Sequence, residues 1–169
     1  MNRMIRVYKE KRRRNRGQGM VELALTLPIF LMLVYGIFEV GRAIFMYSAV
    51  LNASRDAARY AAATGKSASG AEYYRDCSGI KSHASKVSAF VDLSATNAVI
   101  ISYDRPGDAS PDLGLCPLSS GEKLIVGDRV IVTIQATFNP IVPLLNFANI
   151  PITATTTRSV VTDVDIWNP

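Results

Sequence analysis

Three residues near the start of the chain stand where chemistry is hard to avoid: Gly17, Gln18 and Glu22. Residues 12–23 read Arg-Arg-Arg-Asn-Arg-Gly-Gln-Gly-Met-Val-Glu-Leu. A basic leader ends at Gly17, an apolar run begins a few residues on, and one carboxylate sits just inside that run. Placing a charge mid-helix in a bilayer costs roughly 2.5–3.5 kcal/mol on insertion scales. Glu22 lies nearer the end, where the cost is smaller. A carboxylate kept there at such cost is a functional candidate, and it becomes tolerable in an apolar medium only when a cation pairs with it.

The rest of the chain offers little for catalysis. It has no Gly-rich phosphate loop, no Gly-x-Ser-x-Gly elbow and no recognisable pair of catalytic carboxylates. The expectation is therefore a protein without enzymatic activity or cofactor. Two separated cysteines and the lone His83 lack metal-ligand spacing, so no metal site is expected and His83 reads as a solvated helix-face residue. Asp104, Asp108 and Asp112 recur every fourth residue in a Pro/Gly-rich loop, and solvated turn residues explain them better than a calcium site does. Asn52-Ala53-Ser54 matches a glycosylation tripeptide but falls in an expected helix, where it reads as chance. Cys77 and Cys116 both lie beyond the apolar run. An even cysteine count in an exported domain favours a disulfide, with two unrelated thiols as the alternative.

Charge then locates these residues in the cell. The chain has 169 residues, a net charge of +5 and a pI near 9.4. Eight basic side chains against Glu10 give residues 1–17 a charge of +7, so residues 18–169 carry −2. No second basic face exists downstream to shape a nucleic-acid surface, so no nucleic-acid partner is expected. A basic cluster beside an apolar segment reads instead as a cytoplasmic anchor under the positive-inside rule.

The uncharged stretch Leu23–Phe38 holds five Leu, two Ile, two Phe and one Val. At roughly −0.3 to −0.6 kcal/mol each these contribute about −5 kcal/mol to insertion, which outweighs one terminal carboxylate. Met20 and Val21 on one side and Val40 and Ala43–Met46 on the other lengthen the stretch into a span over about 20–42. A cleaved secretory signal is the rival. It would need a small-residue cut close behind the apolar core, and here the run passes unbroken into Glu39–Arg42 and an Ala-rich helix.

The elements that must position Glu22 follow. Residues 1–17 read as a leader unstructured in water, and 18–64 as one long helix whose outer half leaves the membrane. Pro28 interrupts that helix as a kink, and Gly65 is a natural stop. Residues 65–169 read as a small α+β domain. It should hold a weak helix best over Lys81–Leu93, with Ile80, Ala84, Val87, Phe90 and Val91 near helical spacing. Strands are expected at 98–103, 128–138 and 152–164, with 104–121 as a loop and 139–149 as a connection. About three antiparallel strands would then cover one face of the long helix.

Three stretches carry a family resemblance: Arg-Gly-Gln-Gly-Met-Val-Glu-Leu-Ala-Leu-Thr-Leu-Pro (16–28), Gly-Ile-Phe-Glu-Val-Gly-Arg-Ala (36–43), and Asn52–Ala63 with its Ala-Ala-Arg-Tyr-Ala core. Together they resemble the TadE-like minor pseudopilins of bacterial tight-adherence (Flp, type IV-like) pilus systems. Leu23 stands where Phe is more usual after the acidic residue, and Gly19 where Ala is frequent.

The resemblance implies cleavage by a prepilin peptidase between Gly17 and Gln18, which makes Glu22 the fifth residue of the mature chain. It also implies residence in the bacterial inner membrane with the N-terminus cytoplasmic and the domain outside. The partners it implies are the peptidase, other pilins or pseudopilins, and pilus assembly proteins. By the same resemblance Glu22 would meet the free amine of a neighbouring subunit. A domain of this size favours a minor role. The alternative is an uncleaved signal-anchor protein with an extracytoplasmic binding domain.

Overall fold

The computed structural model describes residues 2–87, 91–95, 97–107, 112–119, 121–141 and 149–161, with side chains from Gly17 onward except that of Val87. Its contacts divide the chain into two units, Met1–Arg42 and Ala43–Pro169. The boundary falls inside the first helix, α1 (Asn2–Ala61).

In the first unit the helical backbone includes the leader, where the sequence predicts an unstructured segment. The physical reason is composition: Arg, Lys, Met and Glu are good helix formers, and neither Gly nor Pro occurs between Asn2 and Arg16. Pro28 lies within the helix without ending it. From Met20 to Phe38 the large apolar side chains are exposed.

The second unit is built on the remaining helix segment. Val50, Ala53, Ser54, Ala57, Ala58 and Ala61 follow a spacing of three and four, and all are fully buried. Small side chains on that stripe let a sheet approach the helix backbone closely. The hydroxyl of Ser54 lies 2.8 Å from that of Thr156, which joins helix to sheet. The helix ends at Ala61, and Gly65 behind it takes a positive φ of 97°.

After a 3-10 turn at Tyr73–Arg75 comes α2 (Cys77–Val87). It begins earlier than the apolar periodicity predicts because Asp76 caps it: one carboxylate oxygen accepts from the Gly79 N–H at 2.9 Å and from the Ser78 hydroxyl at 2.9 Å. Ile80 and Ala84 turn inward, as their spacing predicts. Phe90 lies outside the described residues.

The sheet has four strands, β1 (Val99–Asp104), β2 (Asp112–Leu115), β3 (Arg129–Phe138) and β4 (Ile150–Ser159), in the order β2-β1-β3-β4 and antiparallel throughout. The expected α+β class holds, with one strand more than anticipated. β2 has only four residues, one of them Gly114, so it carries no alternation to detect. It forms because β1 offers an edge, with Ser102 opposite Leu115. The β3–β4 pairing is unbroken from Arg129↔Ser159 to Phe138↔Ile150. Val130, Val132, Ile134, Ala136 and Phe138 alternate inward, as the sequence predicts, and join Val99, Ile101, Tyr103 and Ala154 in the core.

Cys77 and Cys116 form a disulfide, with Cα atoms 5.9 Å apart, tying the start of α2 to the end of β2. The Tyr103 hydroxyl is hydrogen-bonded to the Tyr74 carbonyl and lies 2.9 Å from Cys116 Sγ, and burial raises its pKa.

Candidate functional site

The candidate site is the first turns of the apolar part of α1. Gly17 and Gly19 border open space: a Cβ added at either meets nothing within 4 Å. Glu22 is exposed, one turn beyond Gln18. The Thr26 hydroxyl turns back along the helix and donates to the Glu22 carbonyl at 2.9 Å, with the Leu23 carbonyl at 3.3 Å. That bond uses the backbone of Glu22 and leaves its carboxylate untouched. Ion pairs among the described residues engage Glu39, Glu72, Asp56, Asp128 and Asp104, and none engages Glu22.

Glu39 shows what an internal solution looks like on the same helix. Arg42, three residues on, places a guanidinium nitrogen 3.1 Å from its carboxylate. Both charges then travel together, and long side chains of this kind can run their stems along apolar surface. Glu22 has Gln18, Gly19, Leu25 and Thr26 at the corresponding positions, none of them cationic.

The helix through this segment is 3.6-periodic with apolar side chains on every face, which is the pattern of a helix surrounded by apolar medium. Among the described residues, the stretch from Gly17 to Ala61 is the one helix long and apolar enough to cross a membrane. Among the described residues the Glu22 carboxylate is an acceptor with no donor. A carboxylate has two oxygens and no proton to give when ionised, so it can only receive a cation or a donor from elsewhere.

A second cluster of polar groups lies on the globular unit. The Tyr60 hydroxyl donates to Asp76 at 2.9 Å. His83 stacks on the Tyr60 ring with centroids 4.2 Å apart, and its Nδ1 lies 3.3 Å from Asp56. His83 is thus a packing residue between α1 and α2, and the reading of it as simply solvated is corrected. Its apolar ring faces match the tyrosine, a contact that no pattern on α2 alone reveals. Gly79 explains the closeness, since a Cβ there would fall 2.6 Å from the Tyr60 hydroxyl and 2.3 Å from Asp76.

The Gly79 N–H, the Ser78 hydroxyl and the Tyr60 hydroxyl, in that order, hold the Asp76 carboxyl at a pKa of about 2. The role of Asp76 was missed from the apolar periodicity. An Asp just ahead of the helix is the signal that finds it.

Asp104 likewise has a structural task, pairing with Arg129 across the β1–β3 ladder. Asp128 is buried and holds Arg105 at 2.8 and 2.9 Å, with the Ile125 N–H at 2.8 Å. The Arg105 hydrogen bonds keep its carboxyl below the usual range. Asp108 lies outside the described residues. No group of three or more potential metal ligands occurs among the described ones.

Residues 17–59 match the model of the TadE-like protein family. The match opens on Gly17 and takes in Glu22, Pro28, Glu39 and Arg42, as well as most of the buried Ala/Ser stripe. Over that segment the chain is similar to that family. No curated protein and no solved structure matches the chain.

Proposed function

We propose that this TadE-like chain is a minor pseudopilin-like membrane protein of Flp-type adhesion pilus assembly, cleaved by a prepilin peptidase after Gly17. The observation that carries the reading is where the family match begins: at Gly17, directly behind the basic leader and one turn before Glu22. The leader stays cytoplasmic, residues from about 20 to 42 span the inner membrane, and the α+β unit lies outside. The role is structural, with no catalysis and no cofactor. An uncleaved signal anchor is the competing arrangement, and an intact Met1 in mature protein would establish it.

Glu22 supplies the assembly chemistry in this reading. Cleavage creates a cationic α-amine on Gln18 at membrane depth. The same amine on a second subunit, within a few ångströms of Glu22, turns a desolvated charge into a hydrogen-bonded ion pair. The gain appears only on association, which makes the pair a device for recognising another subunit rather than for holding one fold.

Two variants expressed with the peptidase and pilus proteins test both halves. Gly17→Val places a β-branched side chain at the cut, and the protein should remain at leader-containing length by mass spectrometry. Glu22→Leu should insert and be cleaved normally, yet fail to co-purify with pilus proteins. Normal maturation of the first variant would refute the cut site. Normal co-assembly of the second would refute the pairing.

A further inference from the structure

Gln18 carries two groups that cleavage would turn on each other. Its side chain is exposed, and no hydrogen bond among the described residues engages its amide. Its chain neighbours are Gly17 and Gly19, and a Cβ added at either meets nothing within 4 Å, so no side chain crowds the backbone on either side. While Gly17 is attached, the Gln18 nitrogen belongs to a peptide bond. Its lone pair is then delocalised into the carbonyl and is not nucleophilic. Removing the leader makes that nitrogen an amine. The carboxamide carbon Cδ of the same residue then lies within its reach, with only single bonds between them.

We propose that Gln18, once it is the first residue of the chain, cyclises to pyroglutamate unless the Glu22 of a neighbouring subunit holds its amine. The inference rests on cleavage after Gly17 as read above. The amine nitrogen attacks Cδ and the N–Cδ bond forms. The bond from Cδ to Nε2 breaks, and Nε2 leaves as ammonia with a proton from the amine. Nothing else is consumed. The ring is the size of proline's, and attack within one residue has the high effective concentration of an intramolecular reaction. A ring of this kind fixes φ near about −65°, which suits the first turn of a helix, so the helix from Gly19 onward is undisturbed.

Protonation decides which subunits react. Only the free amine can attack, because an ammonium has no lone pair. Apolar surroundings and the positive end of a helix both disfavour a cation, so they favour the reactive form in an unpaired chain. A carboxylate within a few ångströms favours the cation and leaves about a tenth or less of the free amine. The lactam nitrogen of the product is an amide and carries no charge. A cyclised chain therefore has no cation to offer the Glu22 of another subunit. Cyclisation sets a time limit on assembly: a subunit processed but left unpaired withdraws from it. The other glutamine of the chain, Gln135, lies within β3 with its peptide N–H bonded to the Ala98 carbonyl at 2.8 Å, and it cannot react in this way.

The test uses the full chain expressed with a prepilin peptidase and purified in detergent, alone or in complex with pilus proteins, then incubated in mildly alkaline buffer. In the isolated chain the intact mass should fall by one ammonia, and N-terminal sequencing should become blocked. A pyroglutamate-specific aminopeptidase should then restore a sequence that starts at Gly19. In the complex the same change should be slower by about tenfold or more. Gln18→Ala should lose no ammonia, stay open to sequencing and still bind pilus proteins after an incubation that inactivates the parent. A cleaved parent that keeps its ammonia and its open N-terminus throughout overturns this inference and leaves the cut site standing. Equal rates in the isolated chain and the complex overturn it too, because the amine would then not be held by a partner. Ammonia loss from Gln18→Ala overturns it by placing the reaction elsewhere. An intact Met1 in the purified protein overturns both this inference and the cut site.

Discussion

Residues 20–38 and 50–61 belong to one helix and are both largely apolar, yet they treat their surroundings in opposite ways. In the first stretch the large side chains, from Met20 to Phe38, are 44–76% exposed. In the second, Val50, Ala53, Ala57, Ala58 and Ala61 are completely buried. A helix solvated by water buries its largest apolar groups first, because the gain grows with area. Here the bulky residues face outward and the small ones are packed. The second stretch has the sheet as its partner, and the first is a candidate membrane anchor, long and apolar enough to cross a bilayer. Glu22 and Glu39 also differ in charge pairing: Arg42 engages Glu39, and no ion pair among the described residues engages Glu22.

A matched pair of truncations tests this division and carries the largest expected effect. Ile134→Ala removes a fully buried side chain from the centre of β3 and should cost the globular unit about 2–5 kcal/mol. Leu31→Ala removes a similar volume from a residue 47% exposed and should leave the stability of that unit unchanged. Hydrogen exchange of the β3 amides in detergent-solubilised protein reads both. Equal losses from the two variants would break the distinction between the stretches.

Next in size is the disulfide, which belongs to the second region alone. It closes 39 residues of sequence separation and so should contribute about 2–4 kcal/mol. Replacing both cysteines, Cys77→Ala with Cys116→Ala, should lower the melting temperature of the sheet and leave membrane insertion intact. Thiol titration of the native protein should find no free sulfhydryl. Two reactive thiols in protein taken from an oxidising compartment would refute the bridge.

How far the two regions could be read from sequence follows from how each is held. The span depends on composition over a window, and composition is visible: Leu23–Phe38 announces itself without any contact. The inward face of β3 was equally plain, since Val130 to Phe138 alternate at the period of a strand. β2 was hidden because four residues with a glycine acquire strand geometry only from the edge of β1. The start of α2 was hidden behind a polar cap, since Asp76 contributes nothing to apolar periodicity. The stacking of His83 on Tyr60 joins residues on two helices, so neither local sequence contains it. Gly17, Gln18 and Glu22 were legible as a spacing. The chemistry proposed for them needs a peptidase and a second subunit, and no spacing within one chain can display those.

The smallest expected effect separates the regions by acidity. The Asp76 carboxyl is held at a pKa of about 2 by the Gly79 N–H first, then by Ser78 and Tyr60, whereas an unfolded Asp titrates at about 3.9. Between those values the unfolded chain binds a proton that the folded chain refuses, so stability must fall as pH falls. Asp128 acts in the same direction, through Arg105 and the Ile125 N–H. The contribution is complete above the unfolded value and is lost on descending to about pH 2. The melting temperature of the globular unit should therefore be flat from pH 7 to about 5 and then decline. Asp76→Asn keeps an acceptor for the Gly79 N–H but cannot ionise, so it should start slightly less stable at pH 7 and decline less steeply. Were the variant to fall as steeply as the parent, the capping carboxylate would not be a source of the acid sensitivity. Were membrane attachment to be lost over the same pH range, the two halves of α1 would not be the independent regions their exposures describe.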